Sequence, residues 1–307
     1  MKKCLALDIG GSKLIVALVD ESGNVLCQEK TAFSPRPTQE EVLEKILSSV
    51  ARLPMAGEAV ACGATIPGLA DPEKGLWVYA PYSGIGDFPI AQLLGERLGL
   101  DVYIENDVNA CALAEQRWGV CREMRDYLWI TVSNGVGGAL VLNGQLYAGA
   151  GGNAGEIGHL TVESGGPLCP CGKRGCLEAC AAGPGLARRY RQAAGLSEGD
   201  PIDAAQIAAR ARAGEPEALA VWRKTGNYLG RAIAAATNLL NLQAAIIGGG
   251  VSLSFDLLQE GIIEVYGQEV FATANADMPI LQTGLGYEAG LRGAAALAFR
   301  GLEHQNA

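Results

Sequence analysis

Three thiols and one imidazole stand close together in the middle of the chain. Cys169-Pro170-Cys171-Gly172-Lys173-Arg174-Gly175-Cys176 follows His159 by ten residues, with glycines that let the backbone double back. Three thiolates and an imidazole fill a closed tetrahedral zinc site. The C-x-C-x4-C spacing does not place the sulfurs on one helix, so a metal is a natural reason for them to converge. Three reduced core cysteines or a redox pair are the alternatives, and His159 has a core role as its own. Such a site would be structural, because no coordination position is left for a reacting water.

A second group is built from glycine. Asp8-Ile9-Gly10-Gly11-Ser12-Lys13 lies in the turn between two apolar runs, and Ser133-Asn134-Gly135-Val136-Gly137-Gly138 lies in a similar turn further on. Backbone N–H groups and a Ser hydroxyl in such turns can donate to the phosphates of ATP. Asp8 can hold Mg2+ directly or through water, and Lys13 adds positive charge. This is not a Walker A loop, since its spacing and following helix are missing. Gly248-Gly249-Gly250 follows another strand-like run. The clustering of the 42 glycines at such ends suggests close backbone approach, with phosphate as the expected partner.

The third group is Glu105-Asn106-Asp107-Val108-Asn109, between an expected strand and an expected helix. Asp107 there can be a helix N-cap. It can equally be a general base that takes a proton from a sugar hydroxyl while Asn106 binds a neighbouring hydroxyl.

These groups need a scaffold. Alternation predicts strands at 4–9, 14–19 and 25–26, then a helix over 39–53 with Val42, Ile46, Leu47 and Val50 on one face. A strand at 60–66, a helix at 90–98, a strand at 102–104 and a helix at 107–118 follow. The layout then repeats: strands at 128–132, 139–142 and 145–147, helices near 204–213 and 216–242, and a strand at 244–247. A helix near 253–266, a strand at 280–283 and a helix at 288–300 close the chain. Two lobes with duplicated glycine-turn hairpins are expected.

At 307 residues, with 49% hydrophobic and 19% charged residues, the chain suits two folded cores better than one. The net charge of −9 argues against a nucleic-acid surface. There is no signal peptide pattern at Met1-Lys2-Lys3 and no apolar run long enough to span a membrane, and the odd count of nine cysteines fits a reducing cytoplasm.

Taken in order, Asp8-Ile-Gly-Gly-Ser-Lys13, Ile66-Pro67-Gly68, Glu105-Asn-Asp107, Gly155-Glu-Ile-Gly-His159 and Cys169-x-Cys171-x4-Cys176-x-Glu178 resemble the ROK family of bacterial sugar kinases and sugar-responsive repressors. The resemblance implies an α/β, two-lobed, actin-like (RNase H-like) sugar-kinase fold with a zinc knuckle. Its lobes would be residues 1–118 plus 291–307, and 119–290. It implies ATP, Mg2+ and structural zinc as cofactors. It makes Asp107 the catalytic base, with Asn106, Glu156, His159, Glu178 and Gly68 at the sugar. Asp8, Gly10, Gly11, Ser12 and Lys13, with Asn134, Gly135, Gly137 and Gly138, would form the phosphate loops, and Gly248, Gly249 and Gly250 the adenosine-side turn. His159, Cys169, Cys171 and Cys176 would bind zinc.

The implied reaction is phosphorylation of a hexose or N-acetylhexosamine, glucose or N-acetylmannosamine first, by a cytoplasmic homodimer. A sensor of the same family without turnover is the alternative. Repressors of the family carry a helix-turn-helix before the first phosphate strand, and here that strand starts near Cys4. Two departures bear on activity. Asn134 stands where the family usually has Thr, and Ala139 where it commonly has Gly. The sugar-covering loop reads Ala80-Pro81-Tyr82-Ser83-Gly84-Ile85 instead of the usual Ala-Pro-Asn and Pro-Gly-Trp.

Overall fold

The structure, a computed structural model, describes residues 1–80 and 83–305. Pro81 and Tyr82, in the loop singled out above, lie outside the described residues. The chain forms two compact units, Met1–Glu123 with Ala148–Asn153 and Tyr287–Ala307, and Met124–Tyr147 with Ala154–Gly286.

The first unit is built on β1 (Lys3–Ile9), β2 (Lys13–Asp20), β3 (Val25–Ala32), β4 (Cys62–Ile66) and a fifth strand, Val102–Asn106. β1, β2 and β3 are antiparallel, whereas β4 lies parallel to β1 and to the fifth strand. Between β4 and that strand come β5 (Leu69–Asp71), β6 (Leu76–Tyr79) and β7 (Gly86–Phe88), so the fifth strand of the main sheet is β8. The small sheet β5-β6-β7 was not expected. Strands of three or four residues carry too little alternation to stand out in sequence.

β1 is buried on both faces, but the faces differ in size. Leu5, Leu7 and Ile9 pack with Val42 and Ile46 of α1 (Gln39–Arg52) and Ile90 and Leu94 of α2 (Ile90–Leu98). Cys4 and Ala6 face the other way, with Ala17, Ala61, Ala294, Ala298 and Phe299. Small residues on that face admit a helix closely: a Cβ at Gly63 would fall 1.8 Å from the Ala294 carbonyl. Alternation therefore puts Asp8, at the end of β1, on the same face as Cys4 and Ala6. α3 (Asp107–Trp118) packs on that helix through Gly293, against Ala110.

The second unit repeats the plan. β9 (Tyr127–Val132), β10 (Val136–Leu142), β11 (Gln145–Leu146), β12 (Ala244–Gly248) and β13 (Ile280–Gln282) form a sheet of order β11-β10-β9-β12-β13, the counterpart of β3-β2-β1-β4-β8. Its helices are α4 (Leu177–Ala181), α5 (Gly183–Ala193), α6 (Ala204–Arg212), α7 (Pro216–Leu240), α8 (Phe255–Glu269) and α9 (Ala272–Asn275); α10 (Ala289–Gln305) is the helix of the first unit described above. Gly183-Pro184-Gly185 hid α4 and α5 in sequence, because Pro is tolerated in a first helical turn. The duplicated sheet order is the two-lobed α/β fold expected. No described helix is long and apolar enough to cross a membrane.

Candidate functional site

In the first unit the site gathers at the carboxyl ends of the parallel strands β1, β4 and β8. Asp8 pairs in register with Thr65 of the neighbouring strand, and the Thr65 hydroxyl donates to Asp8 Oδ1 at 3.1 Å. On its other side the carboxylate lies against Gly290 at the start of α10, where a Cβ would come within 3.0 Å of it. The turn after β1 is closed by Gly10 N–H donating to the Lys13 carbonyl at 2.8 Å, which leaves Gly11, Ser12 and Lys13 exposed.

The cap at the start of α3 is Asn106, not Asp107. Asn106 Oδ1 accepts from the amides of Val108 and Asn109, and its Nδ2 donates to the Gly68 carbonyl at 2.9 Å. Gly68 is in the left-handed region, and its neighbour Pro67 accepts from Trp77 Nε1 at 3.0 Å. Asn106, Gly68 and Asp107 are thus brought together, with Asn106 tying the helix start to the Pro67-Gly68 turn. Glu105 adds a buried brace, accepting from Asn106 N at 2.8 Å and Asn109 Nδ2 at 3.1 Å.

Asp107 Oδ1 shares the Val108 amide at 3.0 Å, yet its carboxyl is electrostatically unusual. The residue keeps some exposed surface, yet its carboxyl is closely surrounded by protein. Burial first, and the charge of Asp8 second, push it up to about 6 from an ordinary 3.8. Burial also raises Asp8, against the pull of the Thr65 hydroxyl and the Lys13 charge. A carboxyl near neutrality beside a second one is what proton abstraction at neutral pH calls for. Asp8 is an oxygen donor of the kind Mg2+ takes, and an added cation would relieve the crowding of the two carboxylates.

In the second unit the glycines serve a purpose the sequence did not reveal. A Cβ at Gly138 would fall 2.6 Å from the Gly155 carbonyl, one at Gly155 2.4 Å from the Gly138 carbonyl, and one at Gly158 2.0 Å from the Val136 carbonyl. They approach the protein's own backbone and seat the Gly155–His159 segment on β10. Gly249 likewise lies against Val132 at the end of β9, and Gly248 against the Trp129 ring. The close approach expected of the glycine clusters is, on the side where a Cβ would stand in Gly138, Gly155, Gly248 and Gly249, an approach to the protein itself, as it is at Gly158. Gly158→Ala is expected to cost about 2–4 kcal/mol, since the obstructing atom is backbone; chemical denaturation of the variant measures it.

That seating brings His159 to the cysteines. His159 Nδ1 lies 3.8 Å from Cys169 Sγ, Cys171 and Cys176 sulfurs are 3.6 Å apart, and all four donor atoms lie within 4.8 Å of one another. Zn–S bonds of about 2.3 Å in a tetrahedron put sulfurs about 3.8 Å apart, so the donor set fits zinc. Cys169 N–H donates to the Lys173 carbonyl and Gly172 N–H to the Cys169 carbonyl, which forms the knuckle. The imidazole's other nitrogen, Nε2, is 3.8 Å from Glu156 Oε2, and Glu156 is exposed. Glu178, on α4 just after Cys176, accepts the Val136 amide at Oε2 (3.1 Å). Outside the cluster, Cys4, Cys62, Cys111 and Cys121 are buried free thiols, and burial pushes Cys4 and Cys121 up to about 12.

Sequence reasoning missed Thr65, Gly290 and the Glu105 brace. Thr65 becomes visible only once β4 is paired with β1 in register.

The ROK family profile matches residues 4–300. A glucokinase of Streptomyces coelicolor is 33% identical over 309 aligned positions, covering 96% of each chain. An N-acetylmannosamine kinase of Escherichia coli O157:H7 is also 33% identical, over 96% of this chain and 97% of its own. Among solved structures, a ROK glucokinase from Streptomyces griseus in complex with glucose and AMPPNP superposes with a TM-score of 0.83 at 32% identity, covering 97% of this chain and 99% of that one.

Proposed function

We propose, from the premise that this chain belongs to the ROK family, that it transfers the γ-phosphoryl group of ATP to a hydroxyl of a hexose or N-acetylhexosamine, with glucose and N-acetylmannosamine as the first substrates to test. The observation that carries the reading is Asp107: a carboxyl raised to about 6 at the amino end of a helix whose cap is supplied by its neighbour. In the proposed reaction the sugar oxygen bonds to the γ-phosphorus and the bridging bond to the leaving ADP breaks. Asp107 receives the hydroxyl proton.

Gly10 to Lys13, Asn134 to Gly138 and Gly248 to Gly250 are assigned to the nucleotide. Asn106 is assigned to orienting the base and Gly68 to the sugar side, with Glu156, His159 Nε2 and Glu178 as further hydroxyl partners. Asp8 would hold Mg2+, which when bound offsets the charge developing on the phosphates. Asn134 donates a hydrogen bond in place of the family's usual Thr, so phosphate contact is retained in altered form.

A coupled assay for ADP release over a panel of hexoses and N-acetylhexosamines tests the reading. Turnover that depends on one of these sugars is expected. Sugar binding without ADP release on any of them would instead leave a sensor without catalysis, and sink the kinase.

A further inference from the structure

We infer that Glu178 is a positioning residue for the second glycine loop, and so helps to set nucleotide affinity before any sugar is present. The inference rests on the reading that this loop takes the phosphates of ATP. Its two carboxylate oxygens have different neighbours. Oε2 accepts the Val136 amide at 3.1 Å, from 42 residues away in the chain, while Oε1 lies 3.9 Å from Cys169 Sγ in the metal cluster.

Gly135 makes the contact possible, because a Cβ there would fall 2.6 Å from Glu178 Oε2. The same loop is also held by backbone bonds, Ser133 N–H to the Gly135 carbonyl at 2.9 Å and Gly183 N–H to the Ser133 carbonyl at 2.8 Å. The Gly135–Val136 peptide is therefore held at both ends, its carbonyl by Ser133 and its N–H by the Glu178 carboxylate, and the two together set its tilt. The direction of neighbouring N–H groups, on which phosphate recognition by backbone depends, follows from that tilt. A side chain that served the sugar alone would have no reason to hold this amide.

The test measures the affinity of the magnesium complex of a non-hydrolysable ATP analogue by calorimetry, without sugar, on metal-replete protein. Glu178→Ala is expected to weaken binding about tenfold, the loss of one charge-assisted hydrogen bond. Glu178→Gln keeps an acceptor oxygen for Val136 and is expected to stay within about twofold of the parent. Gly135→Ala should also weaken binding, but much less in a protein that already carries Glu178→Ala, because the clashing oxygen is then gone.

Nucleotide affinity unchanged in Glu178→Ala, with only sugar affinity lost, overturns the positioning role and leaves the kinase reading standing. Additive effects of the two substitutions overturn it as well. Parent protein that binds no adenine nucleotide overturns both.

Discussion

Asp107→Asn is expected to lower turnover by roughly 10²–10⁴-fold while leaving sugar affinity within a few-fold of the parent. Proton removal counts in the transition state more than in the bound ground state. The structure sharpens this expectation, because the helix cap is Asn106 and survives the substitution. A loss of activity cannot then be put down to a lost cap.

The raised carboxyl also sets the pH dependence. Activity needs the ionised base, so kcat/KM should rise with pH through about 6 and be flat above. That limb should be missing from whatever activity Asp107→Asn retains. Stability runs the other way. A carboxyl raised from 3.8 to about 6 binds its proton more tightly when folded, so its favourable contribution is complete below 3.8 and lost as pH rises through about 6. At neutral pH, Asp107→Asn should therefore melt higher than the parent. After a discount for solvent screening, the gain is on the order of 1–2 kcal/mol. Near-parental turnover in a well-folded Asp107→Asn would remove Asp107 from the mechanism, and an acid limb that persists in the variant would assign the titration to another group.

Cys171→Ser is expected to remove most of the bound metal, lower Tm by about 5–10 °C and raise the sugar KM at least tenfold. From sequence, the damage should fall on sugar binding far more than on ATP, since Glu156 and Glu178 are tethered to the expected ligands His159 and Cys176. The Val136 amide on Glu178 gives the smaller rise in the ATP KM a physical route. Cys171 is exposed whereas Cys169 and Cys176 are buried, so its replacement perturbs coordination with little loss of packing. Because thiolates and a neutral imidazole are the binding forms, acidification should release the metal in step with the same loss of sugar affinity. Protein purified without chelator should carry about one zinc per chain; elemental analysis that finds none would dismantle the site. A sugar KM unmoved by Cys171→Ser would detach the knuckle from substrate binding.

What could be read from the sequence was what neighbours along the chain encode. Alternation marked β1, short apolar runs marked β2, β9 and β12, and the 3.6-residue period marked α1 and α7. The crowding of Cys169, Cys171 and Cys176 pointed to a donor cluster, which the structure completes with His159 and places within 4.8 Å, a spacing that fits zinc. The position of Asp8 on the small-residue face of β1 also follows from alternation alone.

Tertiary structure decided the rest, because each case joins residues far apart in the chain. Thr65 reaches Asp8 through strand register, Gly290 meets it through the return of α10, and Glu178 meets the Val136 amide where Gly135 leaves room for its carboxylate. Cap and proposed base also could not be told apart in the Asn106-Asp107 pair. Both residue types cap helices, and the choice is made by the Gly68 carbonyl, which holds Asn106 in the capping position and leaves Asp107 to be buried beside a second carboxylate.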